Sequence, residues 1–392
     1  MNKNHYHKRI LISGGGIAGF TAAYWLQRHG FEPTVIEKAP AVRTEGHVID
    51  FSGTGWTVSE RMGIVPKLRE RRQTMPYLIF KSSDNETITK LSVEAMSATF
   101  DHRYVPITRF DLQDILYQEI RDKVDICFDT TIAALEETAE GVKVTFNNGS
   151  TEQFDLVIGA DGIHSQTRAL LWGDEAQFTR YLGYYTGIYY VPSQPAYTAG
   201  FLNYAEPDRQ IGVLEQNDGR GMVFIIFRTD DRGHVPAAER PEMIRHHYAG
   251  MGWMADELLA HLPAEGHFYF DSVTQVLLPT WSNGRVALIG DAACCLSLIS
   301  GQGASMAMGG AYLMAQALAD HPADYTAAFA AYEQRLRPHI EEKQNQAYRI
   351  AKAFVPSTKL GAKLNPYIMK LAFTPPFARF LGKQFGEDTV LN

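Results

Sequence analysis

KRILISGGGIAGFTAAYWLQRHGFEPTVIEK, residues Lys8–Lys38, contains the pattern that predicts the fold of this chain. A short apolar run leads into the spacing Gly14-x-Gly16-x-x-Gly19, an amphipathic segment follows as far as Gly30, and a second β-branched run comes next. This order predicts strand, turn, helix and strand. The three glycines allow, in turn, a tight bend, close backbone approach to a pyrophosphate, and close packing of the helix on the sheet.

The start of the predicted helix is a candidate phosphate site. Ile17 and Ala18 lie in its first turn, where free N–H groups and the helix dipole favour a negatively charged ligand. Glu37 follows about 20 residues later, where a carboxylate accepts hydrogen bonds from a ribose diol, and Lys38 is next to it. The stretch therefore predicts a dinucleotide site. By itself it leaves open whether the dinucleotide is NAD or FAD.

Composition limits the class of protein. The 392 residues suggest two or three domains, and 45% hydrophobic with 21% charged residues is typical of a soluble globular chain. A net charge of −7 argues against nucleic-acid binding. No apolar run reaches 18 residues and the N-terminus leads directly into a strand, so we expect a cytoplasmic protein without stable membrane insertion. Cys127, Cys294 and Cys295 offer neither a disulfide framework nor metal-ligand spacing, so no metal site is expected.

The order of predicted elements indicates one α/β domain interrupted by a β-rich one. Aromatic and β-branched runs separated by Pro, Asp, Asn and Gly predict an antiparallel sheet. We predict a dinucleotide-binding domain in three parts, a β-rich domain in two parts and C-terminal bridging helices. The dinucleotide-binding domain would comprise residues 1–73, 103–180 and 274–340. The β-rich domain would comprise residues 74–102 and 181–273, and the C-terminal helices residues 341–392.

Two further strands end in acidic turns. Asp161 follows one buried strand, and Gly290-Asp291 follows another. Strand ends in an open parallel sheet face the ligand crevice, where a carboxylate can bind the ribityl chain of a flavin. Since NAD has no ribityl chain, this pattern favours FAD. The alternative is that both acids only cap turns. The helix that follows would point its N–H groups at the flavin pyrimidine. It is expected after the segment Gly301-Gln302-Gly303, and Ala304 comes next in the sequence.

On these motifs the chain resembles the class A flavoprotein aromatic hydroxylases, the single-component FAD monooxygenases related to p-hydroxybenzoate hydroxylase. The matching segments are GGGIAG, GADGIHSQTR and RVALIGDAACCLSLISGQG. Arg43 and Arg109 fall where the family has arginines that contact FAD, and Asp50 falls near the flavin ring. The segments VIEK, GHVIDF, ITRFDL and DSVTQV look most like those of the tetracycline-inactivating monooxygenases.

The resemblance implies an α/β architecture with a Rossmann-like FAD-binding domain, a β-rich substrate domain and C-terminal helices. It also implies non-covalent FAD, NADPH or NADH as a transient co-substrate, and transfer of one oxygen atom from O2 through a flavin C4a-hydroperoxide. No catalytic nucleophile is expected, because the cofactor carries the chemistry. The chain departs from the family at Cys294, often His or Tyr, and at Ser297-Leu298, where a proline is usual.

The implied substrate is a phenolic or polycyclic small molecule, with tetracycline-like antibiotics as candidates and hence a role in antibiotic resistance. We expect a monomer or weak dimer. The alternatives are an FAD-dependent reductase or dehydrogenase, and a non-catalytic flavoprotein that binds a hydrophobic ligand. Each candidate for the substrate pocket could instead be an ordinary sheet residue, because half of every strand faces away. The candidates are Tyr189, Phe201, Tyr204, Arg209 and Phe224.

Overall fold

The computed structural model describes residues 8–42, 46–372 and 390–391. The strands are β1 Arg9–Ser13, β2 Glu32–Ile36, β3 Val48–Ser52, β4 Tyr77–Lys81, β5 Thr87–Ser92, β6 Tyr104–Thr108, β7 Asp125–Cys127, β8 Ile132–Glu137, β9 Val142–Phe146, β10 Thr151–Phe154, β11 Leu156–Gly159, β12 Thr179–Pro192, β13 Phe201–Glu206, β14 Arg209–Glu215, β15 Arg220–Arg228, β16 Tyr269–Val276, β17 Ser282–Asn283 and β18 Val286–Leu288. The α-helices are α1 Ile17–Arg28, α2 Thr54–Met62, α3 Val65–Glu70, α4 Val93–Thr99, α5 Arg109–Ile120, α6 Gln166–Trp172, α7 Arg240–Tyr248, α8 Ala255–Ala260, α9 Asp291–Cys294, α10 Gly303–Asp320, α11 Tyr325–Phe354 and α12 Lys359–Ala372.

The dinucleotide-binding domain is built on a sheet in the order β17-β18-β11-β1-β2-β7. All of its pairs are parallel except β17 with β18. Ile10, Leu11 and Ile12 are fully buried because β1 lies at the centre of the sheet with its apolar run covered on both sides. Helix α1 packs against α5 and α10. The predicted Rossmann-like architecture is confirmed.

The β-rich domain is a sheet in the order β16-β12-β15-β14-β13-β4-β5. The hairpin β4–β5 joins it through a parallel pairing of β4 with β13. Side chains alternate between two faces of the sheet. One face carries Ile79, Leu202 and Tyr204 and is covered by α7 and α8. The other face carries Tyr190, Phe201 and Phe224 and packs against β3, so it is turned toward the dinucleotide-binding domain.

The C-terminal helices connect the two domains. Helix α11 packs on α10 near its start, and its end is held by the β-rich sheet, where the Tyr184 hydroxyl donates to the Ala351 carbonyl at 2.5 Å. It continues without a break across the predicted boundary at residue 340. Helix α12 then packs against β5 and β13. Among the described residues, none of the helices combines the length and apolarity that a membrane span requires.

Candidate functional site

The glycine turn has no room for side chains. A Cβ on Gly14, which has φ +115°, would lie 2.5 Å from the Ala160 carbonyl oxygen. A Cβ on Gly19 would lie 1.9 Å from the Gly14 oxygen. In contrast, a Cβ on Gly16 would meet no atom within 4 Å. The turn is therefore closed on the side of the sheet and open above Gly16, where a pyrophosphate would lie.

Helix α1 presents an uncapped N-terminus to this open space. Gly16 is its N-cap, no side chain caps it, and its first turn contains no acidic residue. The buried Ile17 and Ala18 follow. Glu37 lies beside the turn, where its carboxylate accepts hydrogen bonds from the Gly15 N–H at 2.7 Å and the Ala39 N–H at 2.9 Å. Each carboxylate oxygen keeps a lone pair for a ribose hydroxyl. Lys38 is exposed.

The acidic turn at Asp161 meets the glycine turn directly. A Cβ on Gly14 would lie 2.9 Å from the Asp161 Cα. The Asp161 carboxylate accepts from the Ser165 hydroxyl and from the N–H and hydroxyl of Thr167, so it holds the start of α6. The fully buried Arg168 donates to the Ala292 carbonyl at 3.0 Å. This bond ties the turn at Asp161 to the turn at Asp291.

The third turn follows β18 and lies against the start of α1. Gly290 has φ +60°, and its Cβ would lie 2.9 Å from the Cβ of Ala18 on α1. Asp291 is half-buried and begins α9. Behind it, the Cys295 thiol contacts the Thr274 carbonyl at 3.6 Å. Burial, followed by the charge of Asp291, raises the pKa of the Cys295 thiol, which therefore stays protonated.

The loop after α9 leads to a second uncapped helix. Gly301 is in the left-handed region, and α10 begins at Gly303 and Ala304 with no capping side chain and no acid in its first turn. A Cβ on Gly301 or on Gly303 would meet no atom within 4 Å. The site thus offers open space over two bare helix N-termini, with acidic strand ends between them. That donor set fits the pyrophosphate, ribityl chain and flavin ring of FAD.

His47, Asp50 and Arg109 lie at the β3–β6 side of the boundary between the two domains, with Tyr269 of β16 across it, and the space that they border is called the crevice below. The Tyr104 hydroxyl donates to Asp50 at 2.6 Å, and the His47 and Tyr269 rings lie 5.6 Å apart. Burial lowers the pKa of His47 to about 3, with a smaller effect of the Arg109 charge, and burial raises the pKa of Asp50 and of Tyr269. These side chains nevertheless keep accessible surface, and Tyr269 is 41% exposed. The pKa directions reflect the protein atoms around these groups, while their accessible surface shows that a small molecule can reach them.

Sequence reasoning named Asp50 and Arg109 but missed His47 and Tyr269. His47 stands inside the segment GHVIDF, and its backbone carbonyl accepts from the Arg109 N–H at 2.8 Å. That pairing of two distant segments has no signal in a single sequence. The predicted Arg43 lies outside the described residues.

The five predicted pocket residues divide between the two faces of the β-rich sheet. Phe201 and Phe224 lie on the face turned toward the crevice, with ring centroids 6.5 Å apart. Tyr189 and Tyr204 lie on the opposite face beneath α7 and α8. Arg209 binds Glu206 and the carbonyls of His247 and Ala249. The structure therefore brings the two phenylalanines to the crevice and leaves the other three residues in structural contacts away from it.

A charged network links the Asp161 turn to the β-rich sheet. His164 lies 3.2 Å from an oxygen of Asp271 on β16 and 2.9 Å from one of Glu175. These hydrogen bonds, Asp271 first, raise the pKa of His164 to about 10, so the imidazole is charged at neutral pH. Within the described part of the chain, no cluster of three His, Cys, Asp or Glu side chains is arranged to hold a metal ion.

Comparisons with known proteins agree with this geometry. The FAD binding domain family matches residues 7–345. A flavin-dependent monooxygenase from an unknown prokaryotic organism is 32% identical over 356 residues, which cover 89% of this chain and 90% of that protein. An uncharacterized protein of Mycobacterium tuberculosis is 34% identical over 344 residues, 86% of this chain and 92% of its own length.

Among solved structures, tetracycline destructase Tet(55) superposes with a TM-score of 0.84 at 29% identity, and the match covers 97% of both chains. The family match extends over most of the chain, and its relatives share the whole two-domain architecture. The chain therefore belongs to the FAD binding domain family and is a flavoprotein monooxygenase.

Proposed function

We propose that this protein is an NADPH-consuming monooxygenase that inserts one oxygen atom from O2 into a phenolic or polycyclic small molecule. The observation that carries the proposal is the position of an aromatic sheet face, with Phe201 and Phe224, across a crevice from the three strand-end turns. The bound flavin would supply the oxygen-transfer chemistry, through a C4a-hydroperoxide. The protein would bind and orient the substrate and exclude water.

The residues of the three turns would hold FAD. The pyrophosphate would lie over Gly14, Gly16 and Gly19, with N–H groups of Ile17 and Ala18 as donors, and Glu37 would bind the ribose with Lys38 next to it. Arg43 stays a prediction from the family resemblance, because it lies outside the described residues. The ribityl chain would bind Asp291 beside Gly290. Asp161 would act by holding its turn. Gly301, Gly303 and Ala304 would receive the flavin pyrimidine, and Asp50 and Arg109 would lie at its other edge.

The groups in the crevice combine an uncharged histidine, a positioned carboxyl group and one positive charge. His47 is uncharged at neutral pH because burial lowers its pKa to about 3. Asp50 is bound by the Tyr104 hydroxyl, which fixes its orientation. Arg109 supplies a positive charge that acts on both His47 and Tyr269. The ionised form of an acidic phenol or enolate would be attracted to that charge, because the two charges are opposite. The same ionised form is also the more electron-rich partner for oxygen transfer.

A tetracycline-like substrate is part of this proposal. The solved relative named a tetracycline destructase matches 97% of the chain at 29% identity. An aromatic wall buries flat fused rings well, and a few polar groups then fix the orientation. We further propose a cytoplasmic location, because the three cysteines, all among the described residues, are free thiols and NADPH is an intracellular reductant.

The test is NADPH oxidation by the FAD-loaded protein with tetracycline, with p-hydroxybenzoate as the single-ring comparison. We expect tetracycline to accelerate NADPH oxidation more and to gain the mass of one oxygen atom. Equal turnover in the absence of O2 would identify a reductase instead. A ligand that shifts the flavin absorbance without any NADPH consumption would identify a non-catalytic binding protein.

A further inference from the structure

One row of residues crosses the β-rich sheet from edge to edge. Residues directly opposite each other on neighbouring strands share a face of the sheet. The pairings connect one residue of each strand in this sheet, and all of them lie on the face turned toward the crevice. In order they are Thr89, Phe80, Asn203, Gly212, Phe224, Ile188 and Tyr269.

The Tyr269 end of the row is the flavin end. The Tyr269 ring contacts His47, which belongs to the dinucleotide-binding domain. The charges of Arg109 and Asp291 both act on the Tyr269 hydroxyl. A substrate that reacts at the flavin must therefore begin near this end of the row.

The middle of the row is apolar. Ile188 and Phe224 are neighbours there. Gly212 follows, and its missing side chain makes room for the ring of Phe201, which would lie 2.7 Å from a Cβ at that position. From Phe224 to Asn203 the row advances two strand spacings, about 10 Å. This wall suits the face of a planar ligand longer than one ring.

Asn203 at the far end has an unusual environment. It is 5% exposed, and its amide makes no hydrogen bond among the described residues. The other buried amide side chains in that part of the chain are all bonded; they are Gln73, Gln216, Gln275 and Gln344. Its amide nitrogen and oxygen are not among the fully buried unpaired atoms of the described residues, so the amide keeps a little accessible surface and is free to bind a ligand or water.

Thr89 repeats the observation two strands further along the row. Its hydroxyl is buried and has no hydrogen-bond partner. Helix α12 packs against β5 and β13, the strands of Thr89 and Asn203. Because α7 and α8 occupy the opposite face, α12 covers this end of the row. Two unpaired polar groups thus lie beneath α12 at the end of an apolar wall.

We propose that Asn203 is a specificity-determining residue, whose amide hydrogen-bonds the end of an elongated, planar, polycyclic substrate remote from the flavin. The inference rests on the proposed function. Four strand spacings, about 19 Å, separate the strand of Tyr269 from that of Asn203, so a single ring at the flavin cannot reach the amide. A linear fused-ring molecule with a polar far end has the shape and the hydrogen-bonding groups that this row can bind.

The experiment titrates the flavin absorbance of the FAD-loaded wild-type and Asn203→Leu proteins with tetracycline and with p-hydroxybenzoate. We expect Asn203→Leu to weaken tetracycline binding about tenfold, the size of one lost hydrogen bond with its partner left unpaired. Binding of p-hydroxybenzoate is expected to stay the same. Leu202→Met is the matched control and is expected to change neither affinity. Leu202 immediately precedes Asn203 on β13, and its side chain lies on the opposite face.

Urea unfolding without substrate gives a second, independent readout. Because the Asn203 amide has no partner to lose, Asn203→Leu is expected to be at least as stable as the wild type. A less stable variant would show a structural role and overturn the inference. An unchanged tetracycline Kd in that variant, or a wild-type flavin that responds only to p-hydroxybenzoate, would also overturn it. Tetracycline that binds with the expected Asn203 dependence, yet stimulates no NADPH oxidation, would contradict the proposed function alone.

Discussion

Replacing Ser297 with glycine is expected to stabilise the protein. Ser297 lies in the loop between α9 and α10 with φ +79° and ψ 161°, a backbone conformation that is essentially restricted to glycine. Its side chain is 7% exposed, and its hydroxyl is buried without a hydrogen-bond partner. A proline, which fixes φ near −65°, could not occupy this position.

Two stabilising effects and one opposing effect set the expected change in the free energy of unfolding. Backbone strain at such a residue costs about 1–3 kcal/mol, and an unpaired buried hydroxyl costs about 1–3 kcal/mol. The greater freedom of glycine in the unfolded chain opposes these gains by about 0.5–1 kcal/mol. With partial relaxation of the loop we expect Ser297→Gly to add about 1–3 kcal/mol to the free energy of unfolding. Ser297→Ala removes only the hydroxyl, and is expected to add about 1 kcal/mol.

The assay is urea unfolding followed by tryptophan fluorescence at one fixed concentration of FAD, because bound cofactor itself adds stability. The expected order of stability is Ser297→Gly, then Ser297→Ala, then the wild type. An alanine variant more stable than the glycine variant would mean that residue 297 does not hold the left-handed conformation, and would refute the reasoning.

Three further predictions concern the cofactor site and its link to the β-rich domain. Asp291→Ala is expected to bind FAD about 1.5–3 kcal/mol more weakly, the value of a charged hydrogen bond, as measured by flavin titration of the stripped protein; unchanged affinity would remove Asp291 from the site. Gly19→Ala places a Cβ 1.9 Å from the Gly14 oxygen, so the purified variant is expected to lack most of its flavin absorbance, and a fully yellow variant would contradict the close packing. His164, whose folded pKa is raised to about 10, stabilises the protein fully below its unfolded pKa near 6.5 and loses that contribution as pH rises through about 10. The stability difference between wild type and His164→Gln should therefore shrink between pH 6 and pH 10.5, and a difference that grows over this range would contradict the ion pairs with Asp271.

The dinucleotide site could be predicted from the sequence because its signals are local. The spacing of Gly14, Gly16 and Gly19 encodes a turn whose geometry depends on neighbouring residues alone. The acid at 291 follows a buried strand, and strand ends in a parallel sheet share one edge. The structure places these turns in contact, with Gly290 against Ala18.

The substrate side could be predicted only in outline, because the face of a strand residue depends on register. Tyr189 and Tyr190 are adjacent, yet only Tyr190 lies on the face toward the crevice. The pairing of β12 with β15 and β16 decides which of the two alternating sets faces the crevice, and one sequence carries no signal for that pairing. The sequence also does not single out Asn203, because the role of an asparagine in a strand becomes visible only when its hydrogen-bond partners are known.

The start of α12 also differs from what its local sequence favours at Asn365-Pro366. An Asn-Pro pair favours a helix start, but α12 begins at Lys359 and continues through Pro366. The backbone N–H of Gly361 is instead bonded to the Thr358 hydroxyl just before the helix, which gives the first turn a local partner. Contact with β5 and β13 then outweighs the cost of an internal proline.

The origin of the oxygen atom in the product tests the account most directly. The FAD-loaded protein is incubated with NADPH and tetracycline under isotopically labelled O2, and in a parallel reaction in labelled water. The account predicts that the product gains one labelled atom from O2 and none from water. A label that comes from water, or product that forms equally well without O2, would contradict it.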